Sequence, residues 1–442
     1  RQCGDMQEPM ELLELPGISL DYFLRGLAGE AYQDNAVFQE LYSWYLQSPE
    51  YRILVKKLTE ASFSERPSDK IGKTVAKILY GEISPYSATR LERFAACAFA
   101  HFLQYGLKVT ERAEYEFRAM DMGNVMHMAL EKFAAEVRKE GLDWAELTEE
   151  ERNRIIDSCL DQVSADYGNT VLKSSARNEY MLERTRRILR RTVWALQEQL
   201  KHGAFRPEGF EVRFQGGRID RVDIMEEPEN NRVYVKVIDY KTGNTSFDLL
   251  ALYHGLQLQL MVYLDGALQV EKRKYPDREI VPAGVFYYNV KDPMIQEKIH
   301  ADMESINEQM LKKMKMNGLV QADDNMSTKI DSTMASIPVS LNRDGSFSKR
   351  SSVASRKQFD ALGAYVRRKI CDIRESILDG NAAVEPYELG KKNACTYCPY
   401  LTVCGFDRKI PGYEFHRLSS IEEDTLWKKI MKGEEENGSE MD

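Results

Sequence analysis

Two stretches decide the fold that the sequence predicts: Gly217-Arg218-Ile219-Asp220-Arg221-Val222-Asp223 and Val237-Ile238-Asp239-Tyr240-Lys241-Thr242-Gly243. Both are rich in β-branched residues, and the polar run 227–231 between them indicates a turn, so two adjacent strands are expected. Side chains two apart in a strand share a face, which places Asp239 and Lys241 together and near Asp220 on the neighbouring strand.

Two carboxylates and a lysine on adjacent strands can hold a divalent cation beside a phosphate, the arrangement of metal-dependent nucleases. The alternative is a set of charged residues on an exposed strand face. Apolar residues flank both carboxylates, and a buried charge must be paired or metal-bound, which favours the metal site. We expect Asp220 and Asp239 to bind Mg²⁺ or Mn²⁺. Lys241 would orient the attacking water and stabilise negative charge in the transition state.

Residues outside these strands extend the predicted site. His127 follows Gly123 on a predicted helix and is a candidate third metal ligand, since Mn²⁺ accepts imidazole readily. A single histidine is more often structural, and the aspartate pair is what favours a ligand here. Gln259 and Tyr263 are four residues apart on another predicted helix, so they share one face and could position DNA or Lys241. An ordinary amphipathic helix would show the same spacing.

The composition is that of a globular protein of 442 residues with a formal net charge of −9. DNA binding must therefore be local or supplied by a partner. The candidate strip is Arg184, Arg187 and Arg191, which lie mostly off the apolar stripe of a predicted helix; a solvated face is the alternative. No apolar run approaches the length of a membrane span.

Cys395, Cys398 and Cys404 form a C-x₂-C-x₅-C cluster, which suggests a metal in a reducing compartment. Four thiolates would complete a zinc site or an iron–sulfur cluster. Cys97 is the best candidate for the fourth, because it lies in the helix that opens the predicted nuclease unit. We call these four residues the cysteine clasp. Their spacing alone leaves zinc and iron–sulfur open.

The rest of the chain follows from periodicity and turn residues. Residues 10–80 carry helical spacing, 319–355 are Ser/Asp/Asn-rich with a hairpin turn at 342–345, and the end of the chain is acidic. The predicted helices are 123–140, 147–167, 174–202, 249–268, 296–317 and 356–379. The predicted strands are 209–215, 217–226, 233–241 and 282–290. The predicted domains are a helical lead-in over 1–80, a nuclease unit over 81–425 and a flexible acidic tail over 426–442.

Taken together, these motifs resemble the RecB-type branch of the PD-(D/E)XK nucleases. The residues that carry the resemblance are Asp220, Asp239-Tyr240-Lys241, Gly123…His127 and Gln259…Tyr263. Cys97 and the C-terminal trio narrow it to the iron–sulfur members. The run Ser87-Ala88-Thr89-Arg90-Leu91-Glu92, with 105–107 after Cys97, is most similar to the C-terminal nuclease region of the AddB subunits of AddAB helicase–nucleases. The resemblance covers about residues 80–425.

The resemblance implies a restriction-endonuclease-like α/β fold, a mixed sheet flanked by helices, with the clasp joining its two ends. It implies a [4Fe-4S] cluster on Cys97, Cys395, Cys398 and Cys404, with Zn²⁺ as the alternative. It implies metal ligands His127, Asp220 and Asp239, and a catalytic Lys241.

It also implies a setting: cleavage of single-stranded DNA within a heterodimer with an AddA-like helicase–nuclease subunit, during double-strand-break processing in the bacterial cytoplasm, at the nucleoid. Two departures stand out. Ala98 occupies a position where the family commonly has proline. The sequence also has no G-x₄-G-K-[ST] loop, since Gly72-Lys73-Thr74 lacks the preceding glycine. The lead-in is therefore expected to be the remnant of an upstream helicase-like domain, and the first residue, which is not Met, suggests a piece of a longer protein.

Two other functions remain open from the sequence. One is a non-catalytic, metal-stapled scaffold that binds DNA ends; the other is a standalone exonuclease like those associated with CRISPR loci. A scaffold would not need Asp220, Asp239 and Lys241 together, and the helical lead-in disfavours the standalone enzyme.

Overall fold

The computed structural model of the chain describes residues 16–27, 36–62, 70–81, 87–110, 119–167, 175–295, 302–323, 325–410 and 412–438. They fall into two compact units that divide after residue 68. In the first unit, three helices enclose a small core around Phe23, Tyr45 and Val55. They are α1 (Pro16–Leu27), α2 (Ala36–Gln47) and α3 (Arg52–Ser62).

The second unit is built on a six-stranded mixed sheet in the order β1-β2-β3-β4-β5-β6. The strands are β1 (Arg206–Phe214), β2 (Gly217–Glu227), β3 (Arg232–Lys241), β4 (Glu279–Asn289), β5 (Asn317–Gln321) and β6 (Val353–Ala354). The β3–β4 and β5–β6 pairs are parallel and the other three are antiparallel. A second, three-stranded sheet contains β7 (Tyr387–Leu389), β8 (Lys392–Asn393) and β9 (His416–Arg417).

Thirteen further helices are described in this unit. They are α4 (Lys73–Tyr80), α5 (Ala88–Ala96), α6 (Ala98–His101), α7 (Ala119–Lys139), α8 (Glu149–Asp166), α9 (Ala176–Lys201), α10 (Leu249–Tyr253), α11 (Gln259–Lys274), α12 (Met303–Lys313), α13 (Met326–Ile330), α14 (Arg356–Leu378), α15 (Leu401–Cys404) and α16 (Glu423–Gly438). A π-helical turn, Phe102–Gly106, follows α6, and short 3₁₀ turns occupy Trp144–Glu146 and Pro228–Asn230. Among the helices of the described ranges, none has the length and apolarity required to cross a bilayer.

The sheet separates two hydrophobic cores, because alternate side chains of a strand face opposite sides. Along β3, Tyr234 and Ile238 enter the core formed with α7, α8 and α9. Val235 and Val237 enter the other core, formed with α4, α5, α11, α14 and α16. The predicted α/β architecture, a mixed sheet flanked by helices, is confirmed.

Buried charges occupy the first of these faces near the middle of β2. Arg221 donates to Asp223 through Nε at 2.6 Å and a second nitrogen at 3.0 Å, and Lys236 Nζ lies 2.9 Å from the same carboxylate. All three side chains are buried, with Asp223 0% exposed. Arg221 also lies over the ring of Trp144 at 5.1 Å. The Asp223 carboxylate is therefore paired with two buried cations, and a charge at this depth requires such a partner.

Three sequence predictions need correction. The helix expected over 249–268 is interrupted at residues 254–258, because Gly255 has φ +80° and ends α10. The Ser/Asp/Asn-rich segment 319–355, for which the sequence predicted a turn and no helix or strand, contains most of β5, together with α13 and β6. The expected turn at 342–345 is present, with the Gly345 amide donating to the Asn342 carbonyl at 3.1 Å. Of the helix expected over 296–317, residues 296–301 lie outside the described residues, and α12 ends at Lys313.

The predicted domain limits also shift. Helix α4, placed in the lead-in by the sequence, belongs to the second unit, because Ala76 and Tyr80 are buried in its core. Of the predicted flexible tail over 426–442, residues 426–438 belong to α16, whose Leu426, Trp427 and Ile430 are buried against the same core, and residues 439–442 lie outside the described residues. The acidic composition of the segment concealed an apolar face at helical spacing.

We expect Asp223→Ala to lower the free energy of unfolding by about 3–5 kcal/mol, since it leaves Arg221 and Lys236 buried without a counter-charge. Chemical denaturation of the variant and the wild-type chain measures this. Glu226→Ala is the matched control on the same strand: its ion pairs with Arg206 and Arg278 are partly exposed and should each contribute about 1 kcal/mol or less. Equal losses in the two variants would contradict the assigned role of the buried network.

Candidate active site

The candidate site lies where β2 and β3 separate. Their ladder runs from the Glu227–Arg232 pair to the Arg221–Ile238 pair and stops there. Beyond it the Asp220 side chain takes the place of a backbone acceptor: its Oδ2 receives the Tyr240 amide hydrogen at 2.7 Å. The sequence expectation that Asp220 and Asp239 lie on adjacent strands is met, and the gap opened by Asp220 gives side chains access to the end of β3.

Asp239 and Lys241 share the face of β3 that looks toward α11, as the two-residue period predicts. Lys241 Nζ lies 2.7 Å from Asp239 Oδ2 and donates to Gln259 Oε1 at 2.7 Å. Gln259 Nε2 in turn donates to the Tyr263 hydroxyl at 2.8 Å. The ring of Tyr287 lies 5.4 Å from the ammonium. Lys241 is therefore held from three sides, and Gln259 and Tyr263 do contact each other across one helical turn.

His127 reaches the site from α7, on the other side of the sheet. Its Nδ1 lies 3.4 Å from Asp220 Oδ2. One turn earlier, a Cβ on Gly123 would lie 3.2 Å from the Thr242 hydroxyl, just beyond β3, so the helix approaches the strand end at a distance that favours glycine. The Gly123…His127 spacing thus brings the imidazole to Asp220.

Glu211 is a site residue that the sequence reasoning missed. It lies on β1 between Phe210, which pairs with Arg221, and Val212, which pairs with Ile219, and so stands opposite Asp220. His127, Glu211 and Asp220 each offer a ligand atom, and these atoms all lie within 4.8 Å of one another. Glu211 is a single glutamate on a strand, and it stands at no motif spacing from the other site residues in the sequence. It could have been found only from the predicted sheet, in which its strand is next to that of Asp220 and two strands from that of Asp239.

Glu211 also has an unusual backbone, with φ +50° in the middle of a strand. A non-glycine residue in the left-handed region costs on the order of 1 kcal/mol or more and persists where the surrounding structure enforces it. Arg218 forms an ion pair with the Glu211 carboxylate. Asp239 is not a member of the group within 4.8 Å; its carboxylate faces Lys241.

The carboxylates of the site are enclosed. Asp239 is 1% exposed, and burial, together with repulsion from Asp220, raises its pKa despite Lys241. Burial likewise raises the pKa of Asp220 and raises that of Glu211 to about 7. Burial lowers the pKa of His127, which favours the neutral imidazole. Concentrating three carboxylates here is unfavourable unless a positive charge compensates them.

The predicted DNA-binding arginines lie on α9 and are partly neutralised. Arg187 Nε lies 2.8 Å from Asp292 Oδ2, and Arg191 forms an ion pair with the same aspartate. Arg184 is exposed. A role for this strip in binding DNA remains a prediction.

The four residues of the cysteine clasp line one small cavity of about 20 Å³, although Cys97 follows α5 and the other three lie near the end of the unit. None of the described cysteines forms a disulfide. Burial raises the pKa of the Cys97 thiol and raises that of Cys395 to about 11, and in each case neighbouring clasp sulfurs add to the shift. Cys404 Sγ accepts the Phe406 amide hydrogen at 3.5 Å. The sequence expectation that Cys97 joins the C-terminal trio agrees with this arrangement.

Comparison with known proteins gives consistent relatives, each named as a subunit of an ATP-dependent helicase/deoxyribonuclease. They include proteins of Lachnoclostridium phytofermentans (39% identical over 94% of this chain), Alkaliphilus metalliredigens (33% over 97%) and Clostridium acetobutylicum (31% over 95%). The chain spans 38% of the first relative's length, 39% of the second's and 38% of the third's.

The family model described as the PD-(D/E)XK nuclease superfamily matches residues 85–405. That range contains the six-stranded sheet and every residue of the site described above. The strand-borne Asp220, Asp239 and Lys241 stand in the arrangement from which such families take their name. The chain belongs to the PD-(D/E)XK nuclease superfamily.

Proposed function

We propose that this chain is a divalent-cation-dependent deoxyribonuclease module. The observation that carries the proposal is the grouping of His127, Glu211 and Asp220 beside the Asp239–Lys241 pair at the end of β3. Carboxylate oxygens with an imidazole suit Mg²⁺ or Mn²⁺, and three carboxylates grouped in a partly to fully buried site call for compensation by a cation. His127, Glu211 and Asp220 would hold the ion, with Asp239 beside them.

A bound cation supplies an activated water and neutralises charge on the scissile phosphate. The protein's own contribution centres on Lys241. Its ammonium, fixed by Asp239 and Gln259, is preorganised to stabilise the negative charge that grows on the phosphate. Tyr263 holds the amide of Gln259 so that its oxygen, rather than its nitrogen, faces the lysine. Fixing the donor in advance removes the cost of reorienting it during the reaction.

The substrate and setting follow from the relatives. Their names join an ATP-dependent helicase to a deoxyribonuclease, and unwinding a duplex yields single strands. We infer that this chain cleaves single-stranded DNA within a helicase–nuclease complex that processes double-strand breaks, with an AddA-like subunit as partner. The sequence lacks a phosphate-binding G-x₄-G-K-[ST] loop, so unwinding is assigned to the rest of that assembly.

For the cysteine clasp we propose a [4Fe-4S] cluster. Four thiolates around one zinc ion, with bonds of about 2.3 Å in tetrahedral geometry, would lie roughly 3.8 Å apart. Among the described residues, no three clasp sulfurs lie within 4.8 Å of one another. A wider set of four cysteines around one cavity fits a multi-iron cluster better than a single ion.

Lys241→Ala should lower the rate of Mg²⁺- or Mn²⁺-dependent cleavage of labelled single-stranded DNA by about 10²–10³-fold, because it removes the preorganised donor. Lys349→Ala, at an exposed lysine of a turn, is the control and should match the wild-type chain. Equal cleavage by the Lys241 variant would contradict the catalytic role. Binding of DNA by all three proteins without any metal-dependent cleavage would favour a non-catalytic scaffold.

Glu211→Gln should weaken Mn²⁺ binding by about 10-fold or more, since one charged ligand becomes a neutral one. Isothermal titration of the chain with Mn²⁺ alone measures this without reference to activity. Glu208→Gln is the matched control: it lies on the same strand, but its carboxylate pairs with Lys274 at 2.9 Å. The same affinity in both variants would exclude Glu211 as a ligand.

The clasp predicts a brown protein with broad visible absorption and about four irons per chain after anaerobic purification. Cys395→Ser should remove the iron and lower the unfolding temperature. Cys371→Ser, at an exposed cysteine outside the clasp, should change neither. A colourless protein with stoichiometric zinc would overturn the iron assignment.

A further inference from the structure

Helix α11 begins without a cap of its own. Leu258 precedes its first residue, Gln259, and offers no side-chain hydrogen bond to the first turn. Amides at the start of a helix have no partner within the helix and must find one elsewhere. The partner here comes from α5, 166 residues earlier: Glu92 Oε1 accepts the amide hydrogen of Leu258 at 2.6 Å and that of Gln259 at 2.9 Å.

The residue that receives this contact is also the one that orients the lysine. Gln259 is held through its backbone by Glu92, and its side-chain oxygen accepts from Lys241 Nζ at 2.7 Å. A carboxylate at a helix N-terminus is also favoured by the helix dipole. The position of the Gln259 amide oxygen therefore depends on where Glu92 places the first turn of α11.

Helix α5 is itself firmly placed. Leu91 is 1% exposed and Phe94 8% exposed, and both lie in the core beneath α14. At its start Ser87 caps the helix, accepting the Arg90 amide hydrogen. At its other end the helix stops at Cys97, a member of the clasp. Glu92 thus stands on an element anchored at both ends.

Resting on the function proposed above, we propose that Glu92 is a positioning residue for cleavage. It fixes the N-terminus of α11 and, through Gln259, sets the geometry of Lys241. It is not one of the three residues, His127, Glu211 and Asp220, proposed to hold the ion.

The surroundings of Glu92 agree with this role. Burial raises the pKa of its carboxyl to about 7, while the two amides and Lys241 oppose that shift. The Glu92 side chain is therefore enclosed, and it lies near enough to Lys241 for their opposite charges to attract each other. A neutral amide of the same length can keep an oxygen on both backbone amides, whereas a shorter side chain cannot reach them.

Steady-state cleavage of single-stranded DNA by the full chain with Mn²⁺ tests the proposal. We expect Glu92→Ala to lower kcat by about 10-fold or more with little change in KM, because a displacement of the order of 1 Å at a catalytic group can cost about 10²-fold. Glu92→Gln should recover most of the rate, and Glu92→Asp should not.

Asp248→Ala is the matched control. Asp248 Oδ1 also accepts two successive amide hydrogens, those of Leu250 and Ala251 at 3.0 Å each, but at the start of α10. Its loss should change kcat by no more than about 2-fold, because removing a helix cap that does not bear on Gln259 or Lys241 acts on stability instead. A kcat for Glu92→Ala no lower than that for Asp248→Ala would overturn the proposal, and so would a failure of Glu92→Gln to recover the rate.

Amide hydrogen exchange gives a readout independent of activity. Glu92→Ala should accelerate exchange at Leu258 and Gln259 by about 10-fold or more, and Glu92→Gln should not. Unchanged exchange in Glu92→Ala would refute the contact on which the proposal depends. If the wild-type chain cleaves no better than Lys241→Ala, the proposed nuclease function fails, while the exchange at these two amides still decides whether Glu92 holds α11.

Discussion

The site depends on the separation of β2 from β3. If the two strands had continued to pair past Arg221 and Ile238, a backbone carbonyl would have taken the Tyr240 amide, and no side chain could have entered between them. Asp220 instead supplies the acceptor from its side chain, at 2.7 Å. The Asp220 carboxylate thus replaces the missing hydrogen bond of the ladder. The gap between the ends of β2 and β3 is then open to His127 and Glu211. One hydrogen bond serves both the strand and the site.

The two groups of charged residues on these strands differ in how many cations accompany their carboxylates. On one face, the Asp223 carboxylate bonds directly to two buried cations, Arg221 and Lys236. At the site, three carboxylates, those of Glu211, Asp220 and Asp239, have two cations nearby, Arg218 and Lys241, and burial still raises the pKa of all three. The first group is a closed structural network. The second is short of positive charge, which is the condition under which a buried pocket attracts a cation.

The sequence predicted which site residues lie together when they belong to one strand or one helix. It did not predict contacts between strands and helices that are far apart in the chain. The period of two placed Asp239 with Lys241, and the helical turn placed Gln259 with Tyr263. Glu211 was missed because only the β1–β2 register sets it opposite Asp220. Glu92 was noticed only as part of a motif, since its contact spans 166 residues. The helical structure of α16 was hidden by the acidic composition of the end of the chain, and β5 is only five residues long with a glycine in it.

These distant contacts make the site a property of the whole second unit rather than of the β2–β3 pair. Bringing Cys97 to the C-terminal trio closes a loop of about 300 residues, which costs an unfolded chain about 5 kcal/mol in entropy. A closed clasp would offset that cost and would hold the end of α5 against the C-terminal trio. The same helix carries Glu92 to the start of α11. A β2–β3 hairpin alone would have Asp220, Asp239 and Lys241, but nothing in it would hold Gln259 against the lysine.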